Sequence, residues 1–256
     1  MTESILLALE TSTRVGSVAL YDRDRKLAGR DLSAARRHAS ELLPSVADML
    51  RENGLRLRDV GLVAFSQGPG SFTGLRIAVT IARTLHESAG CRVVAVPTLE
   101  VIACNVLDGG FAPASESAAP PGGPAIAVLT PAGRGLAYTA LYDASRTDLE
   151  GLRCVIEPAA RDPVAWLASL NAPFWGVGDA AGDHSAQIEE HGGRRADARC
   201  DHPCADQVAR LAWRRAAHGA FCSVADITPL YLRPPACEEA FQRNRAAAQR
   251  RRSQSD

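Results

Sequence analysis

Short apolar runs separated by polar turns open the chain. The runs cover Ile5–Glu10 and residues 15–21 and 27–32, and a polar turn at 11–14 joins the first two. Such runs with tight connections are typical of a β-meander. We therefore predict three short strands at the start of the chain.

A helical pattern follows the predicted meander. From Ala34 onward, apolar residues recur at spacings of three and four, which predicts one face of a helix. Pro44 lies within this pattern, so the helix either begins near Pro44 or is kinked there. Gly54 predicts its end. The apolar face consists of Ala39, Leu42, Leu43, Val46, Met49 and Leu50.

The next segment has the pattern of an α/β layer. An apolar strand at 60–66 precedes a glycine-containing loop at 68–74, a helix at 75–86 and a strand at 92–96. This helix has few polar positions, so more than one of its sides is apolar. Two interpretations remain open: a fully internal helix, or a subunit interface shared with the preceding helix.

The pattern divides the rest of the chain into a loop, a second lobe and a tail. Residues 109–124 are rich in Gly and Pro and predict a surface loop. We expect a first lobe at 1–107, a loop at 108–124, a second lobe at 125–235 and a basic, disordered tail at 236–256. Within the second lobe we predict strands at 125–130, 136–142 and 174–177 and helices at 162–170 and 204–218.

Composition limits the classes of function. Among 256 residues, 46% are hydrophobic and the formal net charge is zero, which disfavours a protein that holds nucleic acid by itself. Arginines in the tail form either a solvated segment or an arm that contacts nucleic acid. No membrane span or targeting segment is visible, so we expect a cytoplasmic protein.

Cysteine and histidine spacing does not predict a metal site. The seven cysteines are scattered, and Cys200 and Cys204 have no second Cys/His pair at zinc-finger spacing. The six histidines include no i, i+4 pair, and the Gly-x-Ser-x-Gly motif of hydrolases is missing. We therefore predict neither a metal nor a hydrolase site.

The glycine loop is the strongest local signal. Residues 68–76 read Gly-Pro-Gly-Ser-Phe-Thr-Gly-Leu-Arg, and glycines before a helix suit a bound anion. The spacing fits neither a P-loop nor a dinucleotide loop. A phosphate loop and a tight turn without a ligand both remain open.

Several motifs together resemble the TsaB (YeaZ) family of tRNA threonylcarbamoyladenosine biosynthesis proteins. They are Leu-Ala-Leu-Glu-Thr-Ser-Thr-Arg-Val-Gly at 7–16, His-Ala-Ser-Glu-Leu-Leu-Pro at 38–44, the glycine loop, Val-Pro-Thr-Leu at 96–99 and Pro-Leu-Tyr-Leu-Arg at 229–233. The resemblance implies an α/β, actin-like (ASKHA, ribonuclease H-like) two-lobe fold with mixed sheets flanked by helices.

The resemblance also implies a function and partners. Such proteins are non-catalytic subunits that the paralogue TsaD requires to transfer threonylcarbamoyl to the adenosine beside the tRNA anticodon, and the ATPase TsaE resets the complex. We expect a homodimer when the chain is alone, weak or indirect contact with tRNA, and no cofactor of its own, with ATP or ADP only at a partner interface. The alternative is an actin-like ATPase or small-molecule kinase; a metallopeptidase would need a histidine pair that the chain lacks.

Two sets of site residues follow from the resemblance. Glu10 stands where actin-like nucleotide sites place an aspartate, and residues 130–138 contain no acid, so a nucleotide–metal site is disfavoured. The expected partner interface comprises Glu41, Leu42, Val46, Met49, Arg76, Ile77, Thr80, Ile81, Arg83 and Thr84. The candidate nucleotide or phosphate loop comprises Glu10, Thr11, Ser12, Thr13, Gly68, Gly70, Ser71 and Gly74.

Overall fold

A computed structural model describes residues 4–32, 38–107, 125–147 and 151–234. The predicted loop at 108–124 and the predicted tail at 236–256 lie outside the described residues. The first residues of the predicted helix, 34–37, also lie outside them.

The first lobe is built on a mixed five-stranded sheet. Its order is β3-β2-β1-β4-β5, in which β1, β2 and β3 are antiparallel and β4 and β5 are parallel to β1. The predicted meander is confirmed. The strands are β1 (Ile5–Glu10), β2 (Gly16–Asp22), β3 (Arg25–Leu32), β4 (Leu62–Gly68) and β5 (Arg92–Pro97).

Three helices pack on this sheet. They are α1 (His38–Glu52), α2 (Phe72–Ala89) and α3 (Thr98–Leu107), with a 3-10 turn at Leu57–Asp59. Pro44 lies inside α1, so a helix start near Pro44 was the wrong alternative. The Ser71 side chain caps α2 by accepting a hydrogen bond from the Gly74 amide, and Gly90 ends the helix in a left-handed conformation.

The second lobe contains a sheet of the same order, β8-β7-β6-β9-β10. Its strands are β6 (Ala125–Gly133), β7 (Leu136–Thr147), β8 (Leu152–Arg161), β9 (Phe174–Val177) and β10 (Arg194–Arg195). Its helices are α4 (Pro163–Ala168), α5 (Ser185–Glu190) and α6 (Ala205–Ala217), with 3-10 turns at Ala198–Cys200 and Val224–Asp226. Strand β8 has no counterpart among the predicted elements.

The two lobes repeat one topology. In each, three antiparallel strands lead to a helix, a parallel strand, a second helix, a fifth strand and a third helix. The third helices, α3 and α6, are buried in a core cluster to which both sheets contribute. A duplicated mixed sheet of this kind is the predicted actin-like fold.

Helix α6 returns to the first lobe. It packs against β1, β2, β4 and β5, although it follows the second sheet in sequence. Between the two third helices, the Arg215 guanidinium donates a hydrogen bond of 2.6 Å to the Glu100 carboxylate, and both side chains are buried. The lobe limits at 107 and 125 stay a prediction, and α6 ties the two parts into one core.

Candidate partner groove and inter-lobe cleft

Helices α1 and α2 form an apolar groove on the first lobe, which we call the α1–α2 groove. Its volume is about 620 Å³. It is lined by Leu43, Val46, Ala47, Leu50, Arg51, Leu55, Arg56, Leu57, Thr80, Ile81, Thr84, Leu85 and Ser88. An open apolar surface of this kind is typical of interaction sites.

Four predicted interface residues line this groove: Val46, Thr80, Ile81 and Thr84. Leu42 and Met49 do not, because both side chains are fully buried in the core beneath α1. These two residues therefore support the groove from below and offer no surface to a partner. Glu41 and Ile77 are half-buried and lie outside the groove lining.

Arg76 and Arg83 form hydrogen bonds to other residues of the same chain. The Arg83 guanidinium donates to the carbonyl oxygens of Ile227 at 3.0 Å and Val224 at 3.1 Å. Arg76 donates to the Tyr231 hydroxyl at 3.1 Å, and its guanidinium carbon lies 4.0 Å from the centre of the Phe72 ring. Both arginines thus have an intramolecular role, which the sequence pattern did not predict.

Two exposed leucines of the groove were not in the predicted interface. Leu43 is 55% exposed and Leu57 is 42% exposed. Leu43 was part of the predicted apolar face of α1, but the resemblance did not single it out. Only the fold identifies Leu43, because its side chain is exposed while that of the preceding Leu42 is buried.

A second depression lies between the lobes, and we call it the inter-lobe cleft. Its volume is about 490 Å³. Of the candidate nucleotide-loop residues, Ser12, Thr13, Gly70 and Ser71 line it. The remaining lining residues are Arg14, Pro69, Thr130, Pro131, Ala132, Tyr138 and Asp179, none of which was predicted.

Glu10 does not face the cleft, because the chain binds its carboxylate. The side chain is fully buried. Oε1 accepts hydrogen bonds of 2.6 Å from both the amide and the hydroxyl of Ser12, and Oε2 accepts one from the Ser66 hydroxyl. Burial raises the pKa of Glu10, and these hydrogen bonds oppose the rise. The carboxylate therefore fixes β1, β4 and the 11–14 turn to each other.

The glycine loop packs closely on that same turn. A Cβ atom on Gly70 would lie 2.2 Å from the Ser12 carbonyl oxygen, and one on Gly74 would lie 1.8 Å from the Thr11 carbonyl oxygen. The Thr11 hydroxyl donates to the Gly74 carbonyl oxygen at 2.7 Å. Contacts within the chain thus require glycine at both positions, which favours the tight-turn interpretation. A phosphate-binding role of the loop stays a prediction.

The second lobe does present an acid to the cleft. Asp179 follows β9 and lines the wall opposite Ser12 and Thr13, although residues 130–138 contain no acid. Its Oδ1 lies 2.8 Å from Nδ1 of His202, without the geometry of a hydrogen bond. Burial raises the pKa of Asp179, and a charged His202 opposes the rise. The signal for this residue was the Gly-x-Gly-Asp turn after a short strand.

The described ranges show neither a metal-binding cluster nor a membrane-spanning helix. No group of three or more His, Cys, Asp or Glu side chains there could hold a metal ion. Within the same ranges, no helix combines the length and the apolar character needed to span a membrane.

The duplicated sheets and the cleft between them define an actin-like protein. Residues 32–175 match the family model described as TsaD: tRNA N6-adenosine threonylcarbamoyltransferase. The chain belongs to the family that this model describes and, within it, to the TsaB (YeaZ) group, as its relatives show.

Three relatives and one solved structure support this membership. Proteins named tRNA threonylcarbamoyladenosine biosynthesis protein TsaB are 42% identical in Haemophilus influenzae and 39% in Escherichia coli, each over 98 residues, or 38% of this chain. These alignments span only 41% and 42% of those two proteins. The Bacillus subtilis TsaB is 28% identical over 187 residues, which are 72% of this chain and 75% of that protein. YeaZ from Pseudomonas aeruginosa superposes with a TM-score of 0.71 at 28% identity, covering 90% of this chain and all of that one.

Proposed function

We propose that this chain is a non-catalytic partner subunit required by TsaD for threonylcarbamoyl transfer to the adenosine beside the tRNA anticodon. The observation that carries the proposal is the α1–α2 groove, an open apolar surface on a chain whose relatives are named for this modification. Burial of such a surface favours association with another protein. The groove is then the surface that TsaD covers.

The hydrogen bonds of the Glu10 carboxylate support a non-catalytic role. A nucleotide–metal site needs a carboxylate that can reach the metal or its waters. Oε1 and Oε2 of Glu10 already accept hydrogen bonds from Ser12 and Ser66 and are buried. The acid at the end of β1 therefore serves the fold. We infer that the chain has no cofactor of its own and that ATP or ADP binds only at a partner interface.

The other proposed partners follow from the same assignment. We infer that the chain pairs with itself through the groove when TsaD is missing, because an exposed apolar surface favours self-association. TsaE would act on the TsaD-containing complex. The formal net charge of zero agrees with weak or indirect contact with tRNA. The proposed place of action is the cytoplasm.

One observation favours a second candidate function, an actin-like ATPase or small-molecule kinase. The inter-lobe cleft contains Asp179 and the Ser12–Thr13 turn on opposite walls, as a nucleotide site would require. Orienting a nucleotide would still need a metal-binding acid on the first lobe, and Glu10 is occupied. The first candidate therefore fits the geometry better.

Reconstitution separates the two candidates. We expect tRNA modification by TsaD, TsaE and the threonylcarbamoyl-AMP synthase to depend on addition of the chain, while the pure chain shows no steady ATP turnover. Modification of equal rate without the chain would contradict the partner role. Sustained ATP hydrolysis by the pure chain, at a rate independent of TsaD, would support the second candidate instead.

A further inference from the structure

Residues 227–233, which we call the strap, cross from the first lobe to the second after the last helix. The strap begins at Ile227, whose side chain is fully buried in the first-lobe core. It ends at Arg233, beside the turn between β6 and β7 of the second lobe. It therefore contacts both walls of the inter-lobe cleft.

Hydrogen bonds and ring stacking fix the strap to the first lobe. The Leu230 amide donates to the Gln67 carbonyl oxygen at 2.8 Å, and the Gln67 side chain donates to the Thr228 carbonyl oxygen at 3.1 Å. The Tyr231 ring stacks on Phe72 with centroids 4.4 Å apart. These contacts join the strap to the end of β4, just before the glycine loop, and to Phe72 within it.

Arg233 joins the strap to the second lobe. Nη1 of Arg233 donates to the carbonyl oxygens of Ala132 at 2.7 Å and Gly133 at 3.1 Å. Residues 133–135 of this turn all have positive φ, so the turn has a defined shape that presents these carbonyls. Charged donors make hydrogen bonds stronger than neutral ones do. The second-lobe end of the strap is therefore a specific contact.

The strap also occupies one end of the cleft. A small pocket of about 260 Å³ adjoins the cleft there, and the two depressions share Gly70, Ala132 and Tyr138. Leu230 and the residues up to Pro234 line this pocket between the two walls. A change in the separation of the walls would thus have to break the Arg233 contact at one end or the Gln67 and Tyr231 contacts at the other.

We propose that the strap is a brace that restrains the two walls of the inter-lobe cleft relative to each other. Two-lobed proteins that close on a ligand need a hinge that moves freely. In this chain the strap links the glycine-loop wall to the β6–β7 turn, independently of any partner. The proposal goes beyond the partner role and does not depend on it.

Hydrogen exchange of the full-length chain tests the brace. Arg233→Gln removes the charged donor. Tyr231→Leu removes, at the opposite end, both the ring stacking and the hydroxyl that accepts a hydrogen bond from the charged Arg76. Each variant should raise the exchange rate of amides in residues 131–138 by about tenfold, the usual scale for loss of a charged hydrogen bond. Exchange in α4 and α5 should stay unchanged. Arg194→Gln, at an exposed arginine on β10, is the matched control and should change nothing.

Two results would overturn the proposal. Unchanged exchange at 131–138 in Arg233→Gln would show that the turn does not depend on the strap. A uniform increase across both lobes would show that the strap contributes only general stability. An increase confined to the turn in both variants would support the brace, whatever the affinity for TsaD.

Discussion

A charge placed in the α1–α2 groove should break partner binding while leaving the fold intact. Leu43→Glu is the cleanest substitution, because the side chain is 55% exposed and little of it contributes to the core. Ile81→Glu is less suitable, since Ile81 is only 8% exposed and its replacement would also disturb the core. The exposed part of Leu43 is what a partner can cover.

The size of the effect follows from two costs. Full burial of a leucine side chain contributes about 1.5–3 kcal/mol, so covering the exposed half of Leu43 contributes about 1 kcal/mol. A glutamate in the same place leaves a poorly solvated carboxylate, which costs about 1–3 kcal/mol more. The sum of roughly 2–4 kcal/mol corresponds to a dissociation constant that rises at least about 30-fold.

Isothermal titration with TsaD measures this change, and Val155→Glu is the matched control. Val155 lies on β8 of the second lobe and is also 55% exposed. The control should bind TsaD with wild-type affinity. Both variants should show wild-type circular dichroism and melting. Wild-type affinity in Leu43→Glu, or equal loss in both variants, would refute the groove as the partner surface.

Three further predictions concern the fold. Because the pKa of Glu10 is raised in the folded state, its contribution to stability is full below its unfolded pKa and is lost as pH rises. In urea unfolding from pH 5 to 8, the wild type should therefore lose free energy of unfolding relative to Glu10→Gln. Parallel plots of the free energy of unfolding against pH for the two proteins would contradict this. Gly74→Ala should lower the free energy of unfolding by roughly 1–3 kcal/mol because its Cβ would overlap the backbone, while Gly182→Ala, which has open space, should not. Equal melting temperatures for the two variants would refute the close-approach argument. Arg215→Met should lower the free energy of unfolding by about 3–5 kcal/mol by leaving the Glu100 carboxylate buried without its cation; a loss below about 1 kcal/mol would show that the pair matters little.

Local patterns predicted the elements of the first lobe well. Strand β1 has the predicted bounds, and α2 contains the whole predicted helix, because each is a clear apolar run or helical pattern next to turn residues. Strand β8 was missed because its residues are mostly exposed or half-buried and include Pro158. An edge strand with so few buried positions lacks the apolar pattern that identifies a strand.

The site depended on contacts that are distant in sequence. Glu10 is bound by Ser66, which is 56 residues away, and no local pattern can show that its carboxylate is occupied. Arg76 and Arg83 look like surface residues of α2, but residues 141 or more positions later bind them. Asp179 lines the cleft with Ser12 and Thr13, which are distant from it in sequence. In each case, contacts between residues distant in sequence, and not local propensity, determine where the side chain lies.

The mass of the chain in solution, alone and mixed with TsaD from the same organism, tests the central claim most directly. Light scattering should show a homodimer of the 27.1 kDa chain that converts, on addition of TsaD, to a complex containing both proteins. Leu43→Glu should weaken both associations. A chain and a TsaD that keep their separate masses at concentrations well above micromolar would contradict the partner role.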